Sequence, residues 1–94
     1  MTVEITHEPD RRRFTARDGL AEVGELTYAE DDRQVVIEHT IVAPERQGEG
    51  IAGQLAEAAL ASLGAADERR IVPECTYVAQ YVRKHPEHLP LTQR

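Results

Sequence analysis

The feature that most constrains the fold is a passage from strand to helix in the middle of the chain. Residues 34–42 alternate along a strand period, and Pro44 ends that strand because proline cannot donate to a ladder. A loop with two glycines follows, and the apolar and alanine residues of 48–63 recur at helical spacing, with Gly64 as the expected stop. Such a junction directs unpaired backbone N–H groups and the positive end of a helix dipole at one point, which favours an anion.

The loop itself has the residue types that an anion site needs. Gly48 and Gly50 allow the backbone to approach a ligand closely, and Ala52 keeps the first helical turn slim. Arg46 could add a charge-assisted hydrogen bond to a phosphate. The sequence is neither a Walker loop nor the dinucleotide fingerprint Gly-x-Gly-x-x-Gly. A simple strand-to-helix turn that binds nothing is the alternative.

The remaining patterns predict an α+β fold. An antiparallel meander of about three strands is expected to precede helix, strand and helix, all packed on one sheet. The crossover through the first helix predicts a parallel pair between the third strand and the last. The predicted elements are strands at 11–17, 21–29, 34–42 and 70–73 and helices at about 48–63 and 76–84, with an irregular tail from 87 to 94.

The periodicity also predicts which side chains face inward. In strand 34–42, one face carries the odd positions Val35, Ile37, His39 and Ile41. A change of parity at Gly24-Glu25 indicates a β-bulge. In the second helix the residues expected to point inward are Tyr77, Val78, Tyr81 and Val82.

Composition narrows the functional class. The 94 residues are expected to form a single domain, 1–94, and the net charge of −6 argues against a nucleic-acid partner. The chain has no run of 18 apolar residues and no signal-peptide pattern, so the sequence predicts no membrane segment. The single Cys75 fits a reducing compartment and hence a cytoplasmic protein. His7, His85 and His88 show no ligand spacing with Cys75, so no metal site is predicted.

The loop and its surroundings resemble a known superfamily. Gln47-Gly48-Glu49-Gly50-Ile51-Ala52 is similar to the Gln/Arg-x-x-Gly-x-Gly/Ala signature of the GNAT N-acetyltransferases. His39-Thr40-Ile41-Val42 before the loop and Pro73-Glu74-Cys75-Thr76-Tyr77-Val78 after the helix extend the resemblance. Together they are similar to the minimal, single-domain GNAT proteins called YjdJ-like acetyltransferases, over roughly residues 7 to 91.

The resemblance implies acetyl-CoA (or coenzyme A) as the cofactor and an amine as the acceptor. The pantetheine arm would run along the backbone of Ile41 and Val42, where a splayed strand leaves polar groups unpaired. The N-terminal helices with which larger GNAT enzymes build an acceptor pocket are absent, so the resemblance does not define the acceptor. The backbone amides implied to hold the pyrophosphate are those of Gln47, Gly48, Glu49, Gly50, Ile51 and Ala52.

Cys75 and His39 are the candidate catalytic residues. Cys75 stands between a short strand and a helix start, where the dipole would lower its pKa and favour the thiolate. Two routes follow: His39 activates Cys75 to receive the acetyl group, or an amine attacks directly while His39 acts as base and Cys75 or Tyr77 protonates the leaving thiolate. From the residues alone, a core histidine and a small buried cysteine are the alternatives.

These observations predict an acetyl-CoA-dependent N-acetyltransferase. A CoA-binding or protein-interaction module without turnover is the rival in another class, because the fold could be retained without an acceptor pocket. A purely structural domain whose loop binds nothing is the third possibility.

Overall fold

In the computed structural model, which describes residues 3–94, five strands form one sheet in the order β1-β2-β3-β4-β5. The first four strands pair antiparallel, and β4 and β5 pair parallel through a crossover. This confirms the α+β meander and the parallel pair. The strands are β1 Glu4–Glu8, β2 Arg13–Asp18, β3 Ala21–Glu30, β4 Gln34–Val42 and β5 Arg70–Pro73; the α-helices are α1 Ile51–Ala66 and α2 Thr76–Lys84; short 3-10 segments cover Pro9–Arg11, Pro44–Arg46 and Pro86–Thr92.

Two features of this order were not predicted. The strand β1 adds a fourth member to the meander, and the tail folds as a 3-10 segment instead of remaining irregular. Arg94 follows this segment and donates hydrogen bonds to the carbonyls of Gly64 and Asp67, at 3.0 and 2.7 Å. The tail therefore satisfies carbonyl groups at the end of α1, which have no intrahelical partners.

Helix α1 lies close against the sheet because its inner face is built from alanine and aliphatic residues. Its buried residues are Ile51, Leu55, Ala56, Ala59, Leu60, Leu63 and Gly64. A Cβ added at Gly24 of β3 would lie 3.2 Å from Ile51 Cγ2 and Leu55 Cδ1, so glycine permits this close approach. The helix continues past the predicted stop: Gly64 lies inside it, and Leu91 of the tail packs where a Cβ would be. Within the described part of the chain, neither helix is long and apolar enough to span a membrane.

The predicted bulge in β3 occurs one residue earlier than expected. Ala16 pairs with Gly24, but Arg17 pairs with Glu22, which leaves Val23 as the extra residue. Val23 is buried, at 6% exposure. The bulge that the change of parity predicted is therefore present, but at Val23 instead of Gly24-Glu25.

A second bulge, in β4, changes which side chains face the helices. Tyr28 pairs with Ile37, and Thr27 pairs with His39, so Glu38 is the extra residue. Ile37 is buried before the bulge, whereas His39 is exposed after it. The prediction that His39 shares a face with Val35 and Ile37 is wrong, because an extra residue moves every later side chain to the opposite face.

The pairing of β4 with β5 is short. It covers residues 34–37 of β4 and ends where Ile37 meets Pro73, which has no N–H to donate. Beyond that point the chain turns into α2, and the N–H of Cys75 donates to the carbonyl of Ile37 at 3.0 Å. Among residues 3–94, the half of β4 from Glu38 to Val42 therefore has no strand partner on this side.

Candidate functional site

A cleft of about 420 Å³ opens where the end of β4, the following loop, α1 and α2 converge. We call residues 43–50 the glycine loop. The residues lining the cleft are Thr40, Val42, Arg46, Gln47, Gly48, Gly50, Ile51, Ala52 and Tyr77. The cleft thus brings together most of the predicted cofactor residues and adds Thr40 and Tyr77. Ile41 points away from it, on the outer face of the sheet, and is 60% exposed.

The two loop glycines are required by the backbone. Gly48 has a φ of +90° and Gly50 a φ of +83°, both in the left-handed region that side chains disfavour. Among the described residues, no atom lies within 4 Å of a Cβ added at either position. Each added side chain would therefore project into open space, and both glycines line the cleft.

The first turn of α1 has the properties of an anion site. Gly50 is the N-cap and offers no side chain, and the first turn contains no acidic residue. At this end the N–H of Gln54 donates to the carbonyl of Gly50, at 3.1 Å. The N–H groups of Ile51, Ala52 and Gly53 precede it and have no intrahelical acceptor. Together with the helix dipole, they create a positive potential at the cleft.

Arg46 braces the glycine loop. Its guanidinium is 3.0 Å from the carboxylate of Asp18, the last residue of β2, and 2.9–3.0 Å from that of Glu49. The hydrogen bond that Arg46 donates to Glu49 is the main reason that the pKa of Arg46 is raised. A direct phosphate contact would require Arg46 to share or leave these carboxylates. Its contribution in this structure is to hold the loop against the neighbouring hairpin.

Cys75 is placed at the cleft side of the sheet, next to Thr40. It is the N-cap of α2 and half-buried, and its thiol donates to the hydroxyl of Thr40 at 3.5 Å. Because neighbouring side chains in a strand point to opposite faces, His39 points to the outer face. The structure therefore does not bring Cys75 and His39 together as a pair. Sequence analysis missed Thr40, since the bulge that turns it inward has no local signal.

Tyr77 contributes to the cleft instead of the core. It is 41% exposed, whereas Val78 and Val82 form the buried side of α2. The hydroxyl of Tyr77 would lie 3.3 Å from a Cβ added at Gly53 of α1. The prediction that Tyr77 and Tyr81 point inward with the two valines is therefore wrong for Tyr77, and Tyr81 is only half-buried.

A polar cluster lies farther along the same helices. Glu57 Oε1 accepts hydrogen bonds from the hydroxyl of Tyr81, at 2.8 Å, and from Nε2 of His88, at 2.9 Å. We call Glu57, Tyr81 and His88 the Glu57 cluster. Sequence analysis did not single out Glu57, which looks like any solvated helix glutamate. Glu87 brings a third ligand-type atom to within 4.8 Å of those of Glu57 and His88, but His88 Nε2 is already bonded to Glu57.

The splayed strand, the glycine loop at a helix start and the mostly antiparallel sheet define a small GNAT-like fold. A model of the GCN5-related N-acetyl-transferase family matches residues 13–91 of the 94. The chain therefore belongs to this family of acetyltransferases, whose members generally use acetyl-CoA. A comparison with curated proteins found no match.

Proposed function

We propose that this protein is an acetyl-CoA-dependent N-acetyltransferase that acetylates an amine. The observation that carries the proposal is the cleft: an uncapped helix start and an unpaired strand edge open into the same space. A CoA thioester requires two things of its site. Its anionic pyrophosphate needs N–H donors, which the helix start offers, and its extended arm, which contains amides, needs a strand edge with which to pair. The residues present fit such a cofactor, because Gly48 and Gly50 line the cleft and leave open space where a side chain would begin.

The cofactor would be held mainly by backbone groups. The amides from Gln47 to Ala52 would bind the pyrophosphate, and the free edge of Ile41 and Val42 would pair with the pantetheine amides. The absence of a side-chain cap in the first turn of α1, within residues 3–94, supports this arrangement. Bound acetyl-CoA supplies an activated acetyl thioester.

The separation of His39 from Cys75 favours direct transfer over an acetyl-cysteine route. In direct transfer the C–N bond forms as the C–S bond breaks; His39, or a water that it orients, takes the amine proton. Cys75 or Tyr77 returns a proton to the CoA thiolate. The neighbour of the Cys75 thiol is a hydroxyl, Thr40, which is too weak a base to generate a thiolate. For His39 to act as this base, the amine would have to approach the thioester from the outer face of the sheet, to which His39 points.

Calorimetric titration tests the cofactor first. We expect acetyl-CoA and CoA to bind with micromolar dissociation constants, and the absence of binding would overturn the proposal. An amine screen with a free-thiol readout then tests turnover. Binding without turnover of any amine would favour the non-catalytic CoA-binding module instead.

Two variants test the direct route. His39→Ala should lower kcat while leaving acetyl-CoA affinity near the wild-type value, because His39 lies on the face opposite the cleft. Thr27→Ala is the matched control, since Thr27 is the strand partner of His39 on that face. After the wild type is incubated with acetyl-CoA, its intact mass should show no added acetyl group. An acetyl adduct that is present in the wild type and absent from Cys75→Ser would establish the covalent route.

A further inference from the structure

The Glu57 cluster joins three elements through a single carboxylate oxygen. Glu57 lies on the outward side of α1, Tyr81 on α2, and His88 in the 3-10 segment Pro86–Thr92. Both hydrogen bonds converge on Oε1. His88 is nearly buried, at 8% exposure, and the ring of Tyr81 also stacks on His85 with centroids 4.1 Å apart. The cluster therefore links α2 and the tail to α1, in addition to the core packing of Val78 and Val82.

The cluster is linked to the cleft through one helical turn of α2. Tyr77 and Tyr81 are four residues apart, with ring centroids at 6.4 Å, and both approach α1 at Gly53. Glu57 is one turn after Gly53 and holds the farther tyrosine. Tyr77 and Tyr81 belong to one nine-residue helix with Cys75 as its N-cap, so a shift of the helix at Tyr81 would move all three together.

The charges in the cluster make this link stable at neutral pH. Hydrogen bonds from His88 and then from Tyr81 lower the pKa of Glu57, so the side chain is a carboxylate. Burial and the bond to Glu57 raise the pKa of Tyr81 to about 12, so its hydroxyl remains a donor. The resulting O–H to carboxylate bond is charge-assisted, and such bonds are stronger than neutral ones.

We propose that Glu57 is a positioning residue: by holding Tyr81 and His88, it sets the place of Tyr77 in the cleft lining and of Cys75 beside Thr40. Its effect on catalysis rests on the proposed function, because Cys75 and Tyr77 matter there only if acetyl transfer occurs. The glycine loop is anchored separately, through Arg46 and Asp18. We call the part of the cleft near Tyr77, Thr40 and Cys75 the thiol end, and the part at the glycine loop the anion end. Loss of Glu57 should therefore disturb the thiol end and leave the anion end intact.

Alkylation of Cys75 by iodoacetamide tests the positioning without any turnover. In Glu57→Ala and Tyr81→Phe, the freed α2 should expose the half-buried thiol and raise the alkylation rate several-fold. Glu57→Gln keeps an oxygen acceptor and should restore the wild-type rate. Ser62→Ala, at an exposed position of α1, is the matched control. Wild-type rates in both Glu57→Ala and Tyr81→Phe would overturn the proposal.

Steady-state kinetics provide the second measurement. In Glu57→Ala, kcat should fall by about 10- to 100-fold, the usual effect of a misplaced catalytic group, while KM for acetyl-CoA changes little. Glu57→Gln should recover kcat. An active wild type with unchanged kcat in Glu57→Ala would contradict the proposal. A wild type that transfers no acetyl group would instead refute the proposed function, and alkylation alone would then decide on Glu57.

Discussion

Substitution of Gly50 separates the role of the glycine loop in folding from its role in binding. Gly50→Ala places a Cβ on a residue with a φ of +83°. The left-handed backbone costs a non-glycine residue roughly 1–2 kcal/mol. In a domain of this size, each kcal/mol shifts Tm by about 4–8 °C. No atom of the described residues lies within 4 Å of the added Cβ, so no steric term is added to this cost.

Gly50→Ala should also weaken the binding of acetyl-CoA, by more than the backbone cost of the substitution alone would predict. The added Cβ would occupy the cleft beside the amides of Ile51 and Ala52, or would rotate them away from the anion. Charge-assisted hydrogen bonds contribute about 1.5–3 kcal/mol. Their loss corresponds to a dissociation constant raised about 10- to 150-fold.

Gly19→Ala is a matched control for the backbone term. Gly19 also has a positive φ, +61°, and an open Cβ position, but it lies in the β2–β3 turn. Thermal unfolding should show similar losses for both variants, and calorimetry should show weakened acetyl-CoA binding in Gly50→Ala alone. Equal affinities for the two variants would refute the assignment of the loop as the pyrophosphate site.

Two further predictions concern the fold. Leu60→Ala should lower the free energy of unfolding by about 2–5 kcal/mol, because Leu60 is fully buried on the inner face of α1 and its truncation leaves a cavity. In the same denaturant titration, Ser62→Ala, at an exposed position of α1, should change this free energy by less than about 0.5 kcal/mol. His7 stacks on Phe14 and bonds to Tyr28, and burial lowers its pKa below 6.5. Its contribution to stability is therefore complete above pH 6.5 and is lost as the pH falls from there through the lowered pKa of the folded state, because the unfolded chain binds the proton more readily. Denaturant titrations on either side of this range should show that His7→Phe has a weaker pH dependence than the wild type, and an equal dependence would contradict this account.

Local patterns in the sequence were sufficient to predict the strand and the turn that lead into the cleft. The strand 34–42, the turn at Pro44 and the glycine loop each follow from the chemistry of a few adjacent residues. The second helix was predicted with its observed bounds, Thr76–Lys84, because Lys84 and Pro86 mark its end. At these places proline, glycine and the charge pattern act locally, whereas Gly64 lies inside α1, against Leu91 of the tail, and did not end the helix as predicted.

The position of His39 could not be predicted in this way. The odd positions of β4 continue their apolar pattern through Ile41, so nothing within the strand signals an extra residue. The bulge at Glu38 exists only in the pairing of β4 with β3, where Thr27 meets His39. A contact between residues far apart in sequence thus decides which side chain faces Cys75.

The same reasoning explains why Glu57 was missed and why it matters. Its partners, Tyr81 and His88, lie 24 and 31 residues later, and nothing in α1 distinguishes it from a solvated glutamate. The anion end of the cleft is therefore encoded within one short segment, whereas the thiol end depends on tertiary contacts among β4, α2 and the tail. Because the two ends are specified separately, substitutions in the Glu57 cluster should lower the rate of acetyl transfer and leave the measured affinity for acetyl-CoA near the wild-type value.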